Sequence, residues 1–198
     1  MTMLVVGGHS RKVGKTSVAA GLIEALSEYR WTAAKISSHW HFDSPATEIC
    51  VIHEESNREG ESDSSRYLAA GAVRSFWIRV KEDRAEDAVR QFLPILKSSP
   101  FLIIESNCIL HHIQPDLYIM VLRDDVEDFK ESARETLSRA NAVVLVSRHS
   151  SPPIWKSFVE EKMSGIPLFA TPDPALLPPG LLDLVRSKIR DSRFEIRD

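Results

Sequence analysis

The sequence predicts an α/β fold of three layers, with a mostly parallel central sheet covered by helices on both faces. Three observations predict it. Short, continuous apolar runs alternate along the chain with amphipathic stretches of helical period, the pattern of strands buried on both faces and joined by crossover helices. The runs, among them Phe101-Leu102-Ile103-Ile104 and Ala142-Val143-Val144-Leu145-Val146, have strand length and are too short to cross a bilayer. The composition is that of a soluble globular chain, with 198 residues of which 43% are hydrophobic and 27% charged.

The elements follow in order. A strand over 3–7 leads through a glycine-containing turn into a helix over 15–28, whose apolar side carries Val18, Leu22, Ala25 and Leu26. A second strand fits 32–37. From His53 to Ser64 the chain is polar and acidic and reads as a solvated loop. A short helix over 64–70 takes Asp63 as its cap and Gly71 as a left-handed terminator. A strand over 73–80 precedes a helix over 83–97, where Ala85, Ala88, Val89, Phe92, Leu93 and Leu96 keep helical spacing and Pro94 shortens or kinks the last turn. Strands at 101–105 and 117–122 follow Pro100 and Pro115. The remainder reads as a helix over 126–139 capped by Asp125, a strand at 142–147, a helix over 153–163, a strand at 166–170 and a last helix over 179–190. With no internal repeat and no linker, residues 1–198 are expected to form one domain.

Composition also excludes function classes. Twenty-five Lys and Arg against 28 Asp and Glu give a formal charge of −3, so no overall field draws the chain to nucleic acid or to an anionic membrane. Two cysteines, Cys50 and Cys108, are too few for a disulfide framework or a four-thiolate metal site and read as reduced thiols. The apolar run Met3-Leu4-Val5-Val6 stops at Gly7, too short for a signal peptide. A cytoplasmic protein is expected.

The informative segment is Gly7-Gly8-His9-Ser10-Arg11-Lys12-Val13-Gly14-Lys15-Thr16-Ser17. Gly14-Lys15-Thr16 stands between a buried strand and an amphipathic helix, the setting of a phosphate-binding P-loop. Gly14 lets backbone approach a phosphate, consecutive N–H groups make an anion-binding concavity, and the helix N-terminus adds partial positive charge. Lys15 is placed to reach the β- and γ-phosphates, and the Thr16 hydroxyl to hold Mg²⁺. The alternative is an ordinary glycine-rich turn with an exposed lysine. The pattern G-x-x-x-x-G-K-[ST] asks for glycine at position 9; His9 either takes over a backbone conformation that favours glycine or marks a slightly longer loop. Arg11 and Lys12 lend charge to a polyphosphate or are solvated loop cations.

Such a loop needs a carboxylate to orient Mg²⁺ or the attacking water. Glu105 is the first candidate, because it ends a buried strand at the carboxyl edge where open α/β sheets bind ligands. Asp43, close to His39 and His41, is the second. The histidines His39, His41, His53, His111 and His112 offer a transition-metal reading, but H-x-H spacing with no supporting cysteine or HExxH pattern fits polar loop residues near a phosphate site better.

Together, the P-loop, Lys35-Ile36-Ser37-Ser38-His39-Trp40-His41, Asp63-Ser64-Ser65-Arg66 leading to Ala69-Ala70-Gly71-Ala72, and Ile103-Ile104-Glu105 resemble the MobB family of molybdenum-cofactor biosynthesis proteins over about residues 3–123. The resemblance implies a three-layer P-loop NTPase that binds GTP or ATP with Mg²⁺. It implies an accessory role toward a molybdenum-cofactor nucleotidyltransferase or molybdoenzyme, slow or partner-dependent hydrolysis, and a homodimer. Matched by position, Lys15 and Thr16 are the phosphate and Mg²⁺ residues, His39, His41 and Asp63 face the cleft, and Glu105 is the strand-end glutamate. With the candidates read from the residues themselves, the expected catalytic pair is Lys15 and Glu105, the Mg²⁺ residues are Thr16, Glu105 and Asp43, and the nucleotide-binding set is Gly8, His9, Ser10, Arg11, Lys12, Val13, Gly14, Lys15, Thr16, Ser17, His39, His41 and Asp63. Ser10 stands where ParA/MinD-type loops carry a signature lysine, so that subclass is not supported. Ile36 stands where the family carries a histidine, Ser106 follows Glu105 where the family has glycine, and residues 124–198 carry no MobB-like motif. No N-K-x-D motif specifies guanine, and the base is expected to meet Ser147, Arg148, His149 and the stretch Thr171 to Pro174. The broader group includes dethiobiotin-synthetase-like proteins, so an ATP-dependent ligase or small-molecule kinase is the alternative.

Overall fold

The computed structural model describes residues 1–38, 48–97, 99–148 and 153–194. Eight strands form one sheet: β1 (Thr2–Gly8), β2 (Thr32–Ser37), β3 (Cys50–Glu54), β4 (Arg74–Val80), β5 (Phe101–Glu105), β6 (Leu117–Arg123), β7 (Ala142–Val146) and β8 (Leu168–Thr171). Their spatial order is β3-β4-β2-β5-β1-β6-β7-β8. Every neighbouring pair is parallel except β3–β4, which is antiparallel. Among the described residues six α-helices accompany them: α1 (Lys15–Ala25), α2 (Asp63–Ala69), α3 (Ala85–Leu96), α4 (Glu131–Thr136), α5 (Lys156–Lys162) and α6 (Pro179–Phe194). None of the described helices is long and apolar enough to cross a membrane.

The strands are apolar on both faces because each face has its own helical cover. Leu4 and Val6 of β1 join α1, Tyr67 of α2 and Leu181, Val185 and Ile189 of α6 in one core. Met3 and Val5, one residue out of phase, join Ala88, Phe92 and Leu96 of α3, Ala133 of α4 and Val159 of α5 in the other. A three-layer α/β architecture results, with β1 at its centre.

Where the structure departs from the sequence reading, a tertiary contact outweighs local pattern. The stretch read as a loop from His53 begins as the end of β3, an edge strand whose last two residues are exposed; only Cys50, Val51 and Ile52 carry an apolar signal. The first helix stops at Ala25, and residues 27–29 make a separate 3₁₀ turn. Ser62 rather than Asp63 caps α2, its Oγ accepting from the Ser65 amide at 3.1 Å; Gly71 is left-handed at φ 105°. The helix read over 126–139 is reduced to α4 and one 3₁₀ turn. Asp125 does not cap it but binds the Arg123 guanidinium at 2.5 and 2.6 Å. Residues 126–130 spend their polar groups on the loop after β1 instead.

Candidate functional site

The loop joining β1 to α1 is folded tightly over its own beginning. A Cβ on Gly8 would lie 2.7 Å from Val13 Cγ2 and 2.8 Å from Lys15 Cγ. Gly14 has φ 105°, and a Cβ there would lie 2.5 Å from Pro174 Cβ, so the position admits only glycine. The Asn107 side chain holds the loop's entry, accepting from the Gly8 amide at 2.8 Å and donating to its carbonyl at 2.6 Å. No side chain caps α1 and no acid occupies its first turn, which leaves the first-turn N–H groups and the helix dipole to an external anion. The left-handed non-glycine residue of the loop is Lys12, φ 58°, and not His9.

His9 turns away from the cleft. Its imidazole is fully buried between the rings of Phe129 and Trp155, with centroids 5.1 and 5.2 Å away. Nε2 donates to the Val126 carbonyl at 3.0 Å, and that carbonyl also accepts from Trp155 Nε1 at 2.8 Å. Nδ1 has no partner, and burial lowers the pKa of the ring, which stays neutral. The Lys130 amide donates to the His9 carbonyl at 2.9 Å, and Ser10 Oγ donates to Asp128 at 2.5 Å. Three hydrogen bonds therefore bind residues 126–130 to the loop, and the Trp155 ring, just before α5, packs on His9.

On the other side lie the ionic groups. Lys15 Nζ donates to the Ser10 carbonyl at 2.7 Å. Burial lowers its pKa to about 8, Glu105 opposes this, and Lys35 and Lys130 add to it. Glu105 is 1% exposed. Its Oε2 accepts from Thr16 Oγ1 at 2.7 Å and from the Tyr67 hydroxyl, and its Oε1 is paired with Lys35 Nζ. Lys35 also reaches Asp63 at 3.2 Å. Burial, with Glu105 alongside, raises the Tyr67 phenol well above its ordinary range, so Tyr67 is a proton donor here.

These groups open on a cleft of about 1030 Å³. Of the residues expected at the site, Ser10, Arg11, Lys12, Gly14, Lys15, Thr16, Ser17, Asp63 and Glu105 line it together. Gly8, His9 and Val13 shape the loop from beneath it, Val13 as part of the core under α1. His39, His41, Asp43 and His149 lie outside the described residues. Arg148 and Asp173 line the cleft; the Ser147 hydroxyl is held by Asp124 at 2.7 Å. Sequence reasoning missed Lys35 and Tyr67 as partners of Glu105. A lysine within a strand that is otherwise largely buried is a usable signal, since a charge there requires a partner. It also missed Asn107, Asp128 and Trp155, for which no local signal exists.

The donor set suits Mg²⁺: the Thr16 hydroxyl and the Glu105 carboxylate are adjacent hard oxygens, and this ion takes most of its shell from water and phosphate. Among the described residues no group of three or more His, Cys, Asp or Glu side chains is placed to hold a metal by itself.

No family model matches the chain, and no curated protein matches it in sequence. Solved structures do resemble it. HypB from Helicobacter pylori in complex with nickel superposes with a TM-score of 0.52 at 17% identity, over 96% of this chain and 88% of that one. The 54 kDa signal recognition particle protein of Aeropyrum pernix in complex with GDP gives 0.50 at 11%, over 97% of this chain and 50% of that one. A MobB homologue from Bacillus stearothermophilus gives 0.44 at 13%, over 96% and 99%. The chain has the three-layer α/β fold of P-loop nucleotide-binding proteins.

Proposed function

We propose that the protein binds a purine nucleoside triphosphate, GTP or ATP, together with Mg²⁺, and turns it over slowly unless a partner assists. The observation that carries this is the convergence of Lys15, Thr16 and Glu105 at the uncapped N-terminus of α1, beside a loop whose Gly14 admits no side chain. In this reading Lys15 exchanges the Ser10 carbonyl for terminal phosphate oxygens, and the first-turn amides of α1 receive the remaining phosphate charge. Thr16 and Glu105 would hold Mg²⁺, which supplies neutralisation of phosphate charge. Slow turnover is supported by Glu105, whose oxygens would be shared among Mg²⁺, Tyr67 and Lys35 and leave no lone acceptor for a proton from water. The motif order shared with MobB supports an accessory role in molybdenum-cofactor assembly, with a nucleotidyltransferase or molybdoenzyme as partner. A second reading, a ligase or small-molecule kinase, is favoured by one observation: the cleft continues past Glu105 to Cys108 and His112.

The test is a thermal-shift panel of ATP, GTP and a molybdopterin-type nucleotide, each with and without Mg²⁺. A ligand at 100 times its Kd stabilises by about 2.7 kcal/mol, so the preferred base and the metal requirement are read directly. No shift with any nucleotide overturns the proposal. So does a Lys15→Ala variant that binds as tightly as the parent; the expected loss is about 100-fold, the size of a charge-assisted contact.

A further inference from the structure

We infer that the cleft holds a second ligand beyond the terminal phosphate, a small polar molecule that is neutral or cationic; the inference rests on the nucleotide reading above. The lining comes from the carboxyl ends of seven neighbouring strands, from Val80 at the end of β4 to Asp173 after β8. At about 4.8 Å per strand this trough is about 29 Å long. The phosphate loop follows β1, the middle strand, with β5, β2 and β4 on one side and β6, β7 and β8 on the other.

The direction of a bound nucleotide is set by the acid. Thr16 and Glu105 meet on the β5 side, so the metal-bearing, terminal-phosphate end points there and the nucleoside extends toward β6, β7 and β8. A chain of phosphates ends at Lys15 and Glu105, and the half of the trough toward β2 and β4 is left for something else. Small side chains keep it open: Ser37, Ala85, Ser106 and Cys108 line it.

Charge names the class of ligand. The nucleotide half presents Arg11, Lys12, Arg123 and Arg148 against Asp173; with Arg123 paired to Asp125, the remaining cations still exceed the acid and suit phosphates. Among the described residues the other half presents Lys35 and Arg66 against Asp63, Glu82 and Glu105, while Lys130 and Glu135 reach the cleft from the segment after β6. Lys35 is paired with Glu105 and Asp63, and Arg66 donates to Ser17 at 3.1 Å, so Glu82 is the acid of this half that neither cation holds. His111 faces Glu135 at 3.3 Å. A second polyphosphate would meet net negative charge, whereas an amine or hydroxyl would meet acceptors.

The probes are ATP and GTP, and the same nucleotides esterified on the γ-phosphate with an aminohexyl or a carboxypentyl chain, measured with Mg²⁺ by isothermal titration. The aminohexyl ester is expected to bind within about threefold of its parent and the carboxypentyl ester at least about threefold more weakly than the amine. In Glu82→Arg, a change in an exposed turn, the ratio of the two ester Kd values falls by at least about threefold. An aminohexyl ester weaker than its parent by more than that factor in the wild-type protein overturns the inference, because the cleft then closes at the terminal phosphate. An unchanged ratio in Glu82→Arg overturns it as well. If neither parent nucleotide binds, the nucleotide reading itself fails, and this inference falls with it.

Discussion

The phosphate loop is held on its two flanks by different physics. Toward β5 the contacts are ionic: Glu105 is bound by Lys35, Thr16 and Tyr67, and Lys35 by Asp63. Toward β6 they are mainly packing and backbone contacts with no ion pair to the loop: His9 fills an aromatic box, hydrogen bonds from residues 126–130 close over it, and Asp128 accepts from Ser10. An ionic cluster at the mouth of a cleft can trade a side-chain partner for a ligand oxygen, whereas a packed aromatic box has nothing to trade. The first flank is built to change on binding and the second to stay fixed.

The sharpest way to break that contrast is Glu105→Ala. It leaves Lys35 and Tyr67 without their shared acceptor, and a loss of about 3–5 kcal/mol in urea unfolding is expected, as for one partner removed from a buried pair. Glu105→Gln keeps the shape and an acceptor and costs less. A loss below about 1 kcal/mol for Glu105→Ala would show that the cluster contributes nothing net. His9→Ala removes a fully buried ring and is expected to cost about 2 kcal/mol by the same measurement. Its Mg-nucleotide Kd is expected to rise by about tenfold or less, since the loop loses its anchor and no ligand contact. If His9→Ala abolished binding altogether, the flanks would not differ in role.

Much of this division was legible in the sequence, and its two halves unequally so. Lys15, Thr16 and Glu105 are readable because each stands at the end of a continuous apolar run or the start of a helical period, which fixes their common edge. Lys35 becomes visible by a different signal, a lysine inside an otherwise largely buried strand, which requires a partner. The neutral flank left no local trace. Val126 and Phe129 sit at helical spacing, yet the Val126 carbonyl goes to His9 and Trp155 and the segment never becomes helix. Edge strand β3 failed for a related reason: with one face and one side in solvent, five residues suffice and only three of them are apolar.

Protonation provides a finer comparison. Between about pH 8 and its unfolded value of 10.5, Lys15 is neutral in the folded chain but charged in the unfolded one. The unfolded state then binds more protons, so this group makes stability rise with pH across that window, and a Lys15→Met variant loses that rise. A bound phosphate restores the charge. Above pH 8 nucleotide binding is therefore expected to take up about one proton, read from titrations in buffers of different ionisation enthalpy. No such uptake is expected from His9, whose ring remains neutral in its box. The smallest effect is at Lys12, an exposed side chain on a left-handed residue. Lys12→Gly relieves that backbone and is expected to stabilise by about 1 kcal/mol, or about 2–4 °C in Tm. A lower Tm would mean that the Lys12 side chain contributes more than its backbone costs.

The contact between Gly14 and Pro174 has a consequence for biosynthesis. The phosphate loop is made directly after β1, but Pro174, which closes over Gly14, is made only after β8, with the other seven strands in between. A nascent chain that has completed β1, α1 and β2 thus carries the anion-binding loop without its cover and without Arg148 and Asp173 on the far wall. An anion that depends on that cover and far wall is therefore expected to be held only once β8 and Pro174 are in place.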